Sequence, residues 1–187
     1  MRGCKISVFA AGAFTKKLFF VAIAFFSTAA FTQNPPVNSP LLDHLAGKWV
    51  SQAEISGHRS VRDIKGEWVI QHHYLRLHEV SREKDAKGNP RYEAMEFFTT
   101  GPQKDQIQCV WLDVFAGGEG LTTLGVADLK ENDILFIFKD GKGEINFTND
   151  FAYDPKTDSW QWRMNNVDNG KAIPFGTEKL ARSEAAK

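Results

Sequence analysis

The stretch that decides the fold is Trp160-Gln-Trp-Arg-Met-Asn165, in which every second residue is apolar. Successive side chains of a β-strand point to opposite faces, so this alternation predicts a strand that is buried on one side. The same period of two recurs over 107–115 and 145–153, and it dominates the chain from 41 to 182. We therefore predict a β-sheet protein.

Turn-forming residues separate these runs, as in Lys87-Gly-Asn-Pro90, Asp140-Gly-Lys-Gly143 and Asp168-Asn-Gly170. They divide the chain into about eight to ten antiparallel strands that follow one another in sequence order. The predicted strands cover 48–55, 60–65, 67–81, 92–99, 106–115, 121–130, 134–139, 145–153, 160–166 and 176–182. One short helix is predicted over 40–46, capped by Ser39.

A sheet of this many strands, with no helices to cover it, has to bury one face against itself. Closure into a barrel achieves this and also removes the exposed sheet edges. The predicted fold is therefore all-β, an antiparallel up-and-down barrel over 41–182 with a short N-terminal helix. A sandwich of two sheets is the alternative.

Residues 1–32 have the anatomy of a secretory signal peptide. Lys16 and Lys17 precede an apolar run over 18–30, and this run of 13 residues is shorter than the roughly 20 that a spanning helix needs. We predict a cleaved signal peptide over 1–32, a proline-rich linker over 33–40 and a disordered tail over 183–187. The protein is then exported to the periplasm or the extracellular space, without stable membrane insertion after cleavage. An uncleaved N-terminal anchor is the alternative.

The charge balance bears on the possible partners of the protein. The chain has 23 basic and 23 acidic residues, and removal of 1–32 leaves 19 basic against 23 acidic ones. Nucleic acid is not an expected partner, because its binding needs a basic field.

Once Cys4 is removed only Cys109 remains, so no intramolecular disulfide can form. Cys109 alternates with Ile107 and Trp111, which predicts a core residue rather than a nucleophile.

The opening Leu42-Asp-His-Leu-Ala-Gly-Lys-Trp49 resembles the Gly-x-Trp segment that leads into the first strand of lipocalin-type barrels. In that superfamily the tryptophan closes the barrel floor and a basic residue of the last strand packs over it, which implies these roles for Trp49 and Arg182. With Gly66-Glu-Trp68 and Trp111-Leu-Asp113, the stretch 41–182 is similar to a family of exported bacterial lipocalin-like (calycin-type) proteins of unknown function. The resemblance implies a fold and an export route, but it says almost nothing about the activity of the protein.

The most polar predicted strand, 67–81, supplies candidate ligand-binding residues. If Trp68 faces inward, strict alternation carries His72, Tyr74 and Arg76 into the lumen, and if Leu75 faces inward it carries them outward. A bulge or corner midway would let both Trp68 and Leu75 face inward. Gln71-His-His73 also replaces a glycine-rich segment of the family pattern, which leaves the local backbone course open. Further candidates for the cavity are Trp111, Asp113 and Trp162.

The predicted function is the binding of a small apolar or amphipathic molecule in the lumen, where a few polar groups orient the ligand. No metal site is predicted, because His72 and His78 are six residues apart on an extended strand, roughly 20 Å. No cofactor is predicted, although heme stays an alternative because one axial histidine can come from anywhere in the chain. No catalytic residue is assigned. The alternatives are an enzyme that uses His72, Tyr74 or Asp113 as acid or base, and a side-chain-filled barrel that binds partners through its surface. The oligomeric state is not predicted.

Overall fold

The computed structural model describes residues 35–115 and 124–183. The predicted signal peptide over 1–32, residues 33 and 34 of the predicted linker, residues 116–123 and residues 184–187 of the predicted tail lie outside these ranges. The described elements are α1 (Pro40–Asp43), β1 (Gly47–Ile55), β2 (His58–Val69), β3 (Tyr74–Ser81), β4 (Glu93–Thr100), β5 (Gln106–Asp113), β6 (Leu124–Asp128), β7 (Asp133–Lys139), β8 (Ile145–Asp154), β9 (Ser159–Asp168) and β10 (Lys171–Arg182). In the described ranges, no helix has the length and hydropathy that crossing a membrane would require.

The strands form one closed antiparallel barrel. Each strand pairs with its neighbours in sequence, and β1 pairs with β10, so the order is β1-β10-β9-β8-β7-β6-β5-β4-β3-β2. The predicted all-β up-and-down barrel is confirmed, and the sandwich alternative is wrong. Closure follows from the alternation, because every strand has one apolar face and the barrel buries all of these faces together.

A corner after Val69 corrects the predicted strand 67–81. Ile70, Gln71 and His72 all have positive φ angles, of 49°, 54° and 67°, and the His73 N–H donates to the Ile70 carbonyl. The chain reverses here, so 67–69 extends β2 and 74–81 becomes β3. The corner that the sequence left open is thus present. Leu75 faces the interior and is fully buried, and Trp68 also packs against the core.

One end of the barrel is closed by Trp49 and Arg182, and we call it the closed end. The Arg182 guanidinium lies 3.7 Å from the centroid of the Trp49 ring, as the resemblance implied. Arg182 donates to the carbonyls of Ala46 and His44, at 2.6 and 3.1 Å, and to Asp158. The helix α1 is shorter than predicted, but the Ser39 cap is present, since its Oγ accepts a hydrogen bond from the Leu42 N–H. The last strand ties the N-terminal segment to the barrel floor.

The closed half of the lumen is packed with large apolar side chains. Phe98, Phe136 and Phe151 pack ring against ring with centroids 5.5 to 5.7 Å apart, in tilted and T-shaped arrangements. Around them lie Leu75, Leu77, Ile107, Cys109, Trp160, Trp162 and Leu180, all at most 1% exposed. Cys109 is a core residue, as predicted. Space for a ligand therefore has to lie in the other half.

Candidate functional site

A cavity of about 400 Å³ lies at the end of the barrel opposite Trp49, which we call the open end. Its walls combine an apolar side, a polar side and a polar rim. The apolar lining consists of Ile55, Trp111, Phe115, Met164 and Phe175, and the polar lining of Arg62, Ser81, Tyr92 and Asp113. His58, Ser60, Glu83 and Arg91 complete the lining. The lumen is thus filled only in part.

Arg62 projects from β2 into the barrel, and its side chain is only 7% exposed. Its Nη1 donates to Glu79 Oε1 and to Glu178 Oε1, each at 2.6 Å, and its Nε donates to Ser60 Oγ at 3.2 Å. The guanidinium also lies 4.1 Å from the centroid of the Tyr92 ring. One cation on β2 thereby holds two carboxyl groups, from β3 and β10, side by side inside the barrel.

A third carboxyl group, that of Glu96 on β4, lies inside the barrel as well. Glu79, Glu96 and Glu178 are each 1% exposed. Glu178 has a further partner in Ser51, whose Oγ donates to Glu178 Oε2 at 2.7 Å. Neither carboxyl oxygen of Glu96 has a hydrogen-bond partner within the part of the chain that the structure describes. We call Arg62, Glu79, Glu96 and Glu178 the polar cluster, and its acidic groups outnumber its basic one.

Burial changes the protonation of this cluster. It raises the pKa of Glu96 well above its ordinary value, and the neighbouring Glu79 and Glu178 raise that pKa further by repulsion. The pKa of Glu178 is raised in the same way, by burial and then by Glu79. Burial also raises the pKa of Glu79, although Arg62 opposes that change. The cluster therefore retains protons at a higher pH than exposed carboxyl groups would, and it attracts positive charge once these protons leave.

Two of the candidate residues line the cavity, and a third, Trp162, lies in the packed core. Trp111 and Asp113 project from β5 into the open end. Trp162 is fully buried, pairs in register with Glu178, and packs on Phe151 at a centroid distance of 4.5 Å. A ligand-binding role for these three residues stays a prediction.

The other three candidates lie at the closed end, away from the cavity. His72 sits in the corner and stacks on Trp68 with ring centroids 3.9 Å apart. Tyr74 and Arg76 alternate with the buried Leu75 and therefore face outward, and Arg76 pairs with Glu67. The reason is the corner at 70–72, which resets the phase of the alternation. The lumen position assumed for His72, Tyr74 and Arg76 is therefore wrong, and any ligand-binding role for them would have to act on the outer surface.

Sequence reasoning missed the polar cluster and Tyr92, although a signal for the cluster was available. Each charged residue of the cluster is in phase with the apolar positions of its own strand. Each lies two positions from an apolar residue and so shares its face: Arg62 with Ile64, Glu79 with Leu77, Glu96 with Phe98 and Glu178 with Leu180. A charged residue in the apolar phase of a strand indicates a buried polar group, and four such positions on strands that barrel closure brings together indicate a cluster.

Among the described residues, no group of three or more histidine, cysteine, aspartate or glutamate side chains is arranged to hold a metal ion. The cavity and the polar cluster beside it form the candidate site. Comparison with models of known protein families finds none that matches the chain, and comparison with curated proteins finds no match either.

Proposed function

We propose that this protein binds a small amphipathic molecule in the open end of its barrel. The observation that carries the proposal is a cavity of about 400 Å³ with an aromatic and aliphatic side facing a polar side. This volume lies within the roughly 300 to 1,000 Å³ that is typical of small-molecule sites. The packed closed half supports it, because it fixes the floor on which a ligand would rest.

Each side of the cavity would have a separate task. Burial of the apolar part of the ligand against Trp111, Met164 and Phe175 would supply affinity, at roughly 25 cal/mol per Å² before the costs of association. Ser81, Tyr92 and Asp113 would orient its polar part, because hydrogen-bonding groups at the edge of an apolar pocket allow only a few poses.

We also propose that the protein acts after export, in the periplasm or outside the cell. The signal-peptide anatomy of 1–32 supports this, together with the resemblance of 41–182 to exported bacterial lipocalin-like proteins. The excess of acidic residues after 32 supports a small-molecule partner over nucleic acid.

Binding is tested by fluorescence and thermal shift of the protein without residues 1–32. The panel contains fatty acids, retinoids, heme and small aromatic alcohols and amines. Saturable quenching by at least one class is expected, because Trp111 lines the cavity. Met164→Trp should abolish this binding by filling the space, since Met164 is buried in the cavity wall. The matched control is Asn165→Trp on the outer face of the same strand, which should bind normally. Failure of every class to bind, or equal binding by both variants, would refute the proposal.

A second candidate function is acid catalysis by the polar cluster next to the same cavity. Arg62 of the cluster lines the cavity, and burial raises the pKa of Glu96 and Glu178 behind it. A carboxyl group whose pKa is raised keeps its proton to a higher pH and can donate it to a bound substrate. Mass spectrometry of the panel after incubation with the protein tests this. Turnover that disappears in Glu178→Gln would support the enzyme, and recovery of every compound unchanged would leave the binding protein.

A further inference from the structure

We propose that the ligand is an organic cation, an apolar or aromatic body with a protonated amine whose charge is held over the polar cluster. This inference rests on the proposed binding function and names the chemical class of the ligand. It follows from charge, from the chemistry of the cavity walls and from the placement of the other cations near the cavity.

In the part of the chain that the structure describes, the three buried carboxyl groups of the polar cluster have a single cation, Arg62, beside them. Arg62 Nη1 donates to Glu79 and Glu178, while no described residue hydrogen-bonds to the carboxyl oxygens of Glu96. A buried carboxylate is costly unless a cation or hydrogen-bond donors accompany it. Glu96 lies opposite Trp111 in the β4–β5 pairing, and Trp111 lines the cavity. A ligand cation on this side of the cavity would supply the positive charge that the cluster lacks.

The walls of the cavity are also of the kind that binds cations. Tyr92, Trp111, Phe115 and Phe175 line it, and the faces of such rings attract a positive charge through their quadrupole. Tyr92 already holds the Arg62 guanidinium at 4.1 Å, so the cavity makes one cation–π contact with its own residue. Asp113 adds a further carboxyl group to the lining.

The other cations near the cavity argue against an anionic ligand. Arg91 lies in the exposed segment before β4, and its Nε donates to the Lys84 carbonyl. His58 is 64% exposed and pairs with Glu83. Both belong to the rim. The one base deeper in the described lining is Arg62, whose charge is already opposed by Glu79 and Glu178, so a carboxylate ligand would gain little from it. The arrangement therefore favours a cationic group deep in the cavity and an apolar body above it.

Binding of a cation should be linked to proton release. Among the described residues, the titratable groups that interact with Glu96 are those of Arg62, Glu79, Tyr92, Cys109, Asp113 and Glu178, and Arg62 is the one base in this set. Burial raises the pKa of Glu96, and an incoming ammonium group would lower it again by opposing the repulsion. Amine affinity should accordingly increase with pH, whereas a neutral ligand of the same shape should bind equally at each pH.

The experiment uses three ligands with the same phenylethyl body, namely phenethylamine, phenethyl alcohol and hydrocinnamate. Calorimetric titration at about pH 8, where the amine stays protonated, should give a Kd for phenethylamine about ten-fold below that for the alcohol, with hydrocinnamate weakest. Repetition in buffers of different ionisation enthalpy should show proton release for the amine only. Equal or tighter binding of the alcohol or of hydrocinnamate would overturn the proposal.

Glu96→Gln tests the carboxyl group directly, because it removes the charge and keeps the shape. We expect it to remove most of the preference for the amine over the alcohol, and most of the proton release. Glu93→Gln on the outer face of the same strand, where Glu93 contacts His78, is the control and should keep both. Should Glu96→Gln not fold, the ligand ratio and the proton release of the unmodified protein still decide the question.

The two proposals fail in different ways. Binding of the alcohol that is lost in Met164→Trp supports a ligand cavity even where the amine has no advantage. Only the ratio between the amine and the alcohol, and its loss in Glu96→Gln, bears on the cationic ligand. Absence of binding by all three compounds and by the wider panel would remove the binding function itself.

Discussion

The two ends of the barrel each hold an arginine over an aromatic ring, but the two arginines are neutralised differently. At the closed end Arg182 lies over Trp49, is 37% exposed, and donates to two backbone carbonyls and to Asp158. At the open end Arg62 lies over Tyr92, is 7% exposed, and donates to two buried carboxyl groups, with Glu96 nearby.

The difference separates a contact that closes the fold from one that we propose for ligand binding. The partners of Arg182 are mostly neutral and partly solvated, so the contact closes the floor at little electrostatic cost. The polar cluster takes several charges out of water, and buried ion pairs of this kind often contribute less to stability than apolar residues of the same volume. A fold that needed only closure would have no use for the second arrangement.

The largest effect should come from removing the cation of the open end. Arg62→Met leaves Glu79 and Glu178 buried without a cation, and we expect a loss of about 3 to 5 kcal/mol in unfolding free energy. Arg182→Met loses a partly exposed cation–π contact and hydrogen bonds to solvated groups, for which about 1 to 2 kcal/mol is expected. Urea unfolding at neutral pH measures both.

A combined variant serves as the control for this comparison. Replacement of Arg62, Glu79 and Glu178 together by methionine removes the stranded charges with the cation, so it should recover most of the loss. Equal losses in Arg62→Met and Arg182→Met would show that the two ends do not differ in the way described.

Stability should also depend on pH in opposite directions at the two ends. Burial raises the pKa of Glu96 and of Glu178, so each binds its proton more tightly in the folded chain. Their contribution to the unfolding free energy is complete below the ordinary glutamate pKa of 4.5, and it is lost as the pH rises from there to the pKa in the folded chain. Within that interval each carboxyl group loses about 1.4 kcal/mol per pH unit. The hydrogen bond from Arg182 lowers the pKa of Asp158, so that smaller contribution is lost as the pH falls below 3.8.

Urea midpoints between about pH 5 and about pH 8 measure the larger of these two trends. The midpoint should fall as the pH rises, and the fall should be smaller in Glu96→Gln. A midpoint that rises over this interval would mean that the carboxyl groups are ionised at little cost in the folded protein.

The closed end could be predicted from the sequence because its determinants are local or form a short motif. The resemblance of the opening that ends in Gly47 and Trp49 to lipocalin-type barrels implied both the floor at Trp49 and the position of Arg182 over it. Strand number followed from the turns. The corner at 70–72 could not be derived, because Ile70 and Gln71 adopt positive φ there without any residue preference for it.

The open end could be predicted only in part. Trp111 and Asp113 were candidates because they form the Trp-x-Asp segment of the resemblance, and both line the cavity. The polar cluster brings together residues as distant as Arg62 and Glu178, and that proximity depends on closure of the barrel. His72, Tyr74 and Arg76 lie away from the cavity because of the corner at 70–72, and alternation alone left both orientations of this segment open.

A smaller effect is expected from a substitution at the closed end that adds a single methyl group. A Cβ atom at position 66 would overlap the carbonyl oxygen of Leu45, which belongs to the backbone and has to shift. Gly66→Ala should therefore cost about 2 kcal/mol by overpacking the floor. Gly141→Ala, in an open turn with nothing near the added atom, is the matched control and should change the midpoint little. Similar midpoints for the two variants would show that the backbone at the closed end shifts at little cost in stability.

The smallest expected effect is a gain in stability at the open end. Glu96→Met replaces a buried carboxyl group that lacks a described hydrogen-bond partner with an apolar side chain of similar length. At about pH 8 we expect it to stabilise the fold by about 1 kcal/mol, because the cost of burying a charge disappears. Glu93→Met on the outer face should have almost no effect. If Glu96→Met is stabilised and no longer prefers phenethylamine, Glu96 is retained at the expense of stability, as expected for a ligand-binding group. A destabilised Glu96→Met would instead place this carboxyl group among the contacts that hold the fold together.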